Sequence, residues 1–250
     1  MYNHADGKVY LNETIKEWYN QFLPTSSAPT LILDGDLPKA DYFTSDFSEK
    51  LSDVDGDVHT LVAGRMVGIT LEGFRVLAEN RIHIHIYNEN YWELNTKNDN
   101  LFRYVSKKFF HTHQHVNSKD WVREFSKYDM GWLHCFRSKN EGHLMRATWD
   151  DLNIPARLST YAAAGLPCII SRNKGHIVAS KEIVKYYDIG VLFDDYLELA
   201  KRIKEEVRTR NLTRNMLDCR LQFSFDYHVP ELINLFKKAM AYKKWENKRK

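Results

Sequence analysis

The run Ile154-Pro155-Ala156-Arg157-Leu158-Ser159-Thr160-Tyr161-Ala162-Ala163-Ala164-Gly165-Leu166-Pro167 gathers residue types that can position a charged ligand. Proline suits a first helical turn, glycine suits the residue after the last turn, and small alanines let a helix lie close on a sheet. A helix starting at Pro155 would present unbonded backbone N–H groups and a positive dipole end beside the guanidinium of Arg157, a setting for phosphate oxygens. The competing reading is an ordinary crossover helix with a surface arginine, and the residues alone leave both open. Ser171-Arg172-Asn173-Lys174-Gly175-His176 follows an apolar run with polar side chains on a flexible backbone, suited to a pyrophosphate or sugar contact through Asn173 and His176; a plain surface turn is the alternative.

Histidines form a second reactive group. His83 and His85 alternate along one apolar run and His111, His113 and His115 along another, and side chains two apart share a strand face. Such a trio could ligate a metal. No carboxylate or cysteine stands at ligand spacing, however, so covered or edge-strand histidines are expected and a metal is not. Cys135, Cys168 and Cys219 are odd in number, widely spaced and outside any C-x-x-C pattern, which argues for a reducing compartment rather than a disulfide framework or zinc cage.

The hydrophobic pattern predicts the elements that must position these residues. Short β-branched or aromatic runs fall at His59–Ala63, Ile82–Tyr87, Phe109–His115, Met130–Cys135, Pro167–Ile170 and Gly190–Phe193. Amphipathic stretches lie between or after them at Leu71–Glu79, Trp92–Lys107, Ser118–Lys127, Ala156–Ala164, Ile177–Tyr187 and Leu197–Val207. The alternation predicts an α/β fold, a doubly wound, mostly parallel Rossmann-like sheet. The step from the Met130 run to the Pro167 run exceeds the ~30 residues of a βαβ unit. Its surplus, Phe136–Asn153, is an irregular stretch where a ligand site is expected. Residues 1–40 read as a strand at Val9 and Tyr10, a helix capped by Asn12 and a strand at Leu31–Leu33, either the start of this domain or the end of a preceding one. Residues 41–225 form the sheet domain. Residues 226–250 hold a break at Pro230, a helix over Leu232–Ala241 with an apolar stripe, and a basic tail.

With 250 residues, 43% of them hydrophobic, the chain can bury a sizeable core, which excludes a disordered segment or a disulfide-stapled mini-domain. Net charge is +3, yet the last fourteen residues hold Lys237, Lys238, Lys243, Lys244, Lys248, Arg249 and Lys250 against Glu246, so the remainder is net acidic. An acidic body argues against a nucleic-acid partner. The tail, with Tyr242 and Trp245, is either a solvated helix end or a contact for anionic lipid, where each basic residue contributes about 1 kcal/mol. No segment approaches the ~18 apolar residues of a bilayer span, and the N-terminus lacks a signal-peptide core. A cytoplasmic location is expected, peripheral at the inner membrane face if the tail binds lipid.

The Pro155–Pro167 run also resembles a segment of the C-terminal, nucleotide-sugar-binding domain of GT-B fold glycosyltransferases of the group-one type. That segment has the form Pro-x-Lys/Arg-x-x-Glu-Tyr-x-Ala-x-Gly-x-Pro, and Pro155, Arg157, Tyr161, Ala163, Gly165 and Pro167 match it in register. Ala63-Gly64-Arg65, Asp120-Trp121 through Tyr128-Asp129-Met130-Gly131, and Gly190-Val191-Leu192-Phe193 look like further family elements in the family's order, over roughly residues 55 to 240. The resemblance implies one half of a GT-B fold, with Gly64, Arg65 and Arg157 on the diphosphate of a nucleotide-sugar donor and Glu141 near the sugar. The family's ribose-binding glutamate falls on Thr160, so either Asp150 or Asp151 just before the helix takes its role or the donor grip has diverged. Divergence with function kept is favoured, with Thr160, Asp151 and Asn153 expected at the ribose or sugar. The implied activity is transfer of a sugar, with retention, to a glycan or lipid-linked acceptor in envelope polysaccharide synthesis. It needs no cofactor beyond the donor. A separate N-terminal domain would supply the acceptor face, leaving this chain inactive alone. The alternatives are a nucleotide-sugar epimerase and a degenerate, non-catalytic binding or scaffold module, the latter motivated by Thr160.

Overall fold

Two parallel sheets organise the computed structural model, which describes residues 5–24, 27–88 and 108–247. The smaller pairs β1 (Lys8–Tyr10) with β2 (Thr30–Ile32), joined through α1 (Glu13–Phe22). Asn12 caps α1 by accepting from the Ile15 N–H at 2.9 Å, and its Nδ2 donates to the Leu152 carbonyl at 2.7 Å. One side chain thus starts a helix and ties this unit to the main body. Tyr10, Ile15 and Leu152 form the small apolar cluster beneath it.

The larger sheet contains β3 (Val58–Ala63), β4 (Ile82–Tyr87), β5 (Phe110–His113), β6 (Met130–Trp132), β7 (Cys168–Ser171) and β8 (Gly190–Phe193). All its pairings are parallel and the strand order is β5-β4-β3-β6-β7-β8. This is a doubly wound order, reversing between β3 and β6. Helices cover both faces, so the inner strands are buried almost throughout, though β3 and β4 carry histidines on one face. Leu61 and Cys168 pack on one side with residues of α4 (Trp121–Phe125), α6 (Arg157–Ala163) and α7 (Ala179–Tyr186). Val62, Trp132 and Ile169 pack on the other with α3 (Leu71–Glu79) and α8 (Tyr196–Thr209). The remaining helices are α2 (Leu51–Asp55), α5 (Trp149–Leu152), α9 (Asn211–Cys219) and α10 (Phe225–Asn247).

Strands and helices fall where the periodicity places them, with shifts of a few residues at their ends. The expected helix at Trp92–Lys107 lies outside the described residues, as do Lys248–Lys250 of the tail. Pro230 is a correction: it does not break the chain but lies inside α10. It stands one turn from the helix start, so its missing N–H costs one bond to the Asp226 carbonyl, and its fixed φ is helical. The stripe of α10 is divided rather than buried as one face, with Leu235 buried and Ile233, Phe236 and Met240 exposed. Among the described residues no helix is long and apolar enough to cross a membrane.

The β3–β6 pair is short, matching only Thr60 with Met130 and Leu61 with Gly131, whereas β3 continues beside β4 as far as Ala63 and Tyr87. The hydroxyl of Tyr161, fully buried on α6, takes over where the β3–β6 ladder stops. It accepts from the Ala63 N–H at 3.0 Å and donates to the Trp132 carbonyl at 2.9 Å, with the Leu61 carbonyl at 3.3 Å. Its ring lies where a side chain at 131 would project: a Cβ there would stand 2.6 Å from a ring carbon. Gly131 is therefore required by the tyrosine. Leaving such a buried group unpaired costs about 1–3 kcal/mol, so Tyr161→Phe should lower the unfolding free energy in urea by about that amount. Gly131→Ala should also destabilise, and an unchanged midpoint in both variants would contradict this bridge.

Candidate functional site

The carboxyl ends of β3 and β6 separate beyond Tyr161, and open α/β sheets bind ligands at such a reversal of strand order. A crevice of about 270 Å³ opens there, lined by Ala63 at the end of β3 and Gly64 just after it, Tyr87 at the end of β4, and Ala156, Arg157 and Thr160 at the start of α6. Its opposite wall is His115, Val116, Trp121 and Phe125, with Asp36 and Pro38 from the segment after β2. Gly64 has φ +85°, the left-handed region that favours glycine, while a Cβ there would meet nothing nearer than Arg157 Nη2 at 3.7 Å. Backbone conformation, not space, calls for the glycine.

Arg157 spans the gap between the two strands. Its Nη2 donates to the Arg65 carbonyl and its Nη1 to the Trp132 carbonyl at 3.4 Å. These bonds fix the guanidinium without exhausting its five N–H donors. Arg65 itself is exposed beside it. Burial, and then the charges of Arg157 and Arg65, push His134 down to about 4, so this imidazole next to β6 stays neutral beside two cations. The expected cradle of unbonded amides at the helix start is smaller than the sequence implied: the Leu158 and Ser159 N–H groups donate to the Pro155 and Ala156 carbonyls. Positive charge at the crevice comes from side chains more than from backbone amides.

The other sequence-derived residues are not gathered at the crevice. Asp151 is buried, and its Oδ2 accepts from the Thr148 N–H at 2.9 Å and hydroxyl at 3.0 Å, closing a capping box on α5. Asn153 follows as the residue that ends α5. Glu141 pairs with Arg146. Asn173 is a clamp between loops, accepting from the Ser138 N–H at 2.9 Å and donating to the Phe136 carbonyl at 3.1 Å. His176 Nδ1 accepts from the Glu141 N–H at 3.0 Å, and buried Asn140 bonds both backbone groups of Ile177. The long stretch after β6 is thus braced onto the stretch after β7. Asn173 and His176 also line a separate groove of about 390 Å³ with Arg137, Lys174 and Asp194. Residues not assigned to the site from sequence are Tyr87, His115, Asp36 and Trp121; the signal for the first three was only that each follows or ends a strand-like run, and for Trp121 its place in the family-like Asp120-Trp121 element.

A roomier apolar cleft of about 350 Å³ lies between the β1–β2 unit and α6–α7. Glu13, Asp34 and Glu182 line it with no lysine or arginine, so it would repel a diphosphate. Of these two, the crevice at the β3–β6 reversal suits an anion better, with Arg157 against the single carboxylate of Asp36; the groove beside Asn173 and His176 also carries cations, Arg137 and Lys174, against Asp194.

Strand order and crevice together define a doubly wound, Rossmann-like α/β domain. No protein-family profile and no curated protein matches the chain. Among solved structures it is similar to the accessory secretory protein 1, 2 and 3 structure of Streptococcus pneumoniae, at 10% identity and TM-score 0.46 over 85% of this chain and 39% of that one. It is similar to the C-terminal CMP-Kdo binding domain of WaaA from Acinetobacter baumannii, at 9% identity and TM-score 0.39 over 68% and 91%. A third is a mutant of T4 phage BGT in complex with UDP-glucose, at 11% identity and TM-score 0.42 over 96% and 60%. The chain spans well under two thirds of the first of these.

Burial is the largest cause that holds His83, His85, His111 and His113 below the ordinary histidine range, with His111 at about 4. The unfolded chain takes up these protons near pH 6.5, whereas in the fold His111 and His134 stay neutral until about pH 4. Between those values the unfolded state binds more protons, so stability falls as pH drops. Thermal unfolding should show Tm declining continuously as pH is lowered from 6.5 towards 4, with a shallower decline in His111→Gln. A Tm flat across that window would contradict neutral imidazoles at these positions.

Proposed function

We propose that this chain is the donor-binding half of a GT-B glycosyltransferase, holding a nucleotide diphosphate sugar while its sugar passes to an acceptor presented by a facing domain. The observation that carries the reading is the crevice at the β3–β6 reversal, where Gly64, Arg157 and Thr160 meet with Arg65 alongside. As the glycosidic bond breaks, negative charge grows on the departing diphosphate. Preorganised cations in a partly enclosed site stabilise that charge without reorganising. Arg157, already fixed by two carbonyls, is suited to this role, and Arg65 adds a second charge at the mouth. The aromatic wall at Trp121 and Tyr87 offers an apolar face for a base or sugar. Resemblance favours retention and a glycan or lipid-linked acceptor, and the unpaired cysteines favour a reducing, cytoplasmic setting.

A second reading, a non-catalytic nucleotide-binding module, is favoured by the ribose position. Thr160 replaces the family's glutamate, and of the two aspartates before the helix Asp151 is held in the α5 cap. Titration of UDP, GDP and CMP into the chain separates both readings from a scaffold that binds none of them. Charge-assisted hydrogen bonds contribute about 1.5–3 kcal/mol, so Arg157→Ala and Arg65→Ala should each weaken nucleotide diphosphate binding roughly ten- to a hundred-fold with the fold intact. Unchanged affinity in both would remove the assignment. Thr160→Glu should keep or raise the preference for a ribonucleotide over its deoxy analogue; unfolding would show Thr160 to be a packing residue instead. Sugar transfer is expected only when the acceptor-binding domain is also present, and robust transfer by these 250 residues alone would contradict that part of the proposal.

A further inference from the structure

Parallel pairing brings five histidines onto one face of β3, β4 and β5. His59 sits opposite His83, His85 opposite His111, and Tyr87 opposite His113. The opposed rings stack: His59 on His83 at 4.3 Å, His85 on His111 at 4.3 Å and His113 on Tyr87 at 4.6 Å. The hydrogen bonds run diagonally, one strand over and two residues on. His59 Nδ1 lies 3.0 Å from His85 Nε2, His85 Nδ1 lies 2.9 Å from His113 Nε2, and His83 Nδ1 lies 2.9 Å from His111 Nε2. Each row ends on a carboxylate, which ionised can only accept. His59 Nε2 meets Asp55 at 3.0 Å, and His83 Nε2 meets Asp57 at 3.3 Å. With neutral rings only one arrangement satisfies every contact: all five carry their proton on Nε2, and every N–H points towards an aspartate.

The rows are poorly suited to a metal. A shared ion needs lone pairs converging at about 2.0–2.1 Å on one point. His59, His83 and His85 bring ring nitrogens within 4.8 Å of one another, but His59 and His83 are stacked within 14° of parallel, so their in-plane lone pairs run side by side, and their Nδ1 atoms are already bonded to His85 and His111. The expectation that no carboxylate attends the histidines is nonetheless corrected by Asp55 and Asp57.

We propose that His113, His85 and His59 form a proton relay between the β5 edge of the sheet and the solvent-facing carboxylate of Asp55. A proton arriving at His113 Nδ1 displaces the Nε2 proton to His85 Nδ1. The His85 Nε2 proton then moves to His59 Nδ1, and the His59 Nε2 proton to Asp55, which yields it to water. Each ring gains one proton and gives up one. The row begins beside Tyr87, a wall of the crevice, with Glu124, Lys127 and Tyr128 as the other titratable groups near its start. The His111–His83 row is a closed branch: Asp57 is 8% exposed and held by Arg81, whereas Asp55 is 47% exposed. This inference does not depend on the donor reading.

The test is nitrogen-15 NMR of the histidine-labelled full chain at neutral pH. Nε2–H tautomers in all five rings, with couplings across the 59–85, 85–113 and 83–111 bonds, are expected. Asp55→Asn removes the outlet at the surface, and the His59 and His85 Nε2 protons should lose their rapid exchange with water while that of His83 is unchanged. His85→Phe, which keeps the stack on His111, should abolish only the couplings of His59 and His113. Nδ1–H tautomers, missing couplings in the native chain, or identical exchange in Asp55→Asn would overturn the relay.

Discussion

The hydroxyl of Tyr161 replaces the hydrogen bonds that β3 and β6 stop making to each other. A parallel ladder that simply ended there would leave buried backbone groups unpaired on both strands, at a cost of about 1–3 kcal/mol each. Because one hydroxyl bonds both strands, they can part and still be satisfied. The gap they leave is the crevice. The same hydroxyl lets α6 lie on the sheet at Gly131, which brings Arg157, one turn earlier on the helix, over the opening. Strand separation, helix seating and placement of the cation thus share one cause.

The crevice has two unlike sides as a result. One is cationic and rigid, because Arg157 is held by the carbonyls of Arg65 and Trp132 and a neutral His134 adds no competing charge. The other is aromatic, built from Tyr87, His115, Trp121 and Phe125. Diphosphate oxygens suit the first and a flat ring suits the second, a division of the kind small-molecule sites use to fix orientation. The acidic lining of the larger apolar cleft accounts for why volume alone does not choose the site.

Much of this was legible in the sequence because it rests on local pattern. Strand periodicity, the proline and glycine around α6, and Gly64 at a strand end are each determined within a few residues. What sequence could not supply is register between distant segments. His59 joins His85 and His83 joins His111 only because parallel strands bring residues more than twenty apart to within 3.0 Å. Asp57 likewise reaches His83 through the β3–β4 register, whereas Asp55, four residues before His59, was within reach of a local reading. Asp151 and Asn173 carry the chemistry of binding residues, yet one caps a helix and the other clamps two loops, uses that satisfy nearby backbone groups. Polar side chains of that kind read alike until their neighbours are known. Pro230 misled for the opposite reason, since a proline one turn into a helix removes only one bond.

The most direct measurement is a crystal structure of the chain with the nucleotide diphosphate that binds it most tightly. The diphosphate should lie across the ends of β3 and β6, within hydrogen-bond distance of the Arg157 guanidinium and close to the Gly64 backbone, with the base or sugar against Trp121 or Tyr87. A diphosphate seated instead in the groove beside Asn173 and His176, or in the cleft between Asp34 and Tyr187, would contradict the account.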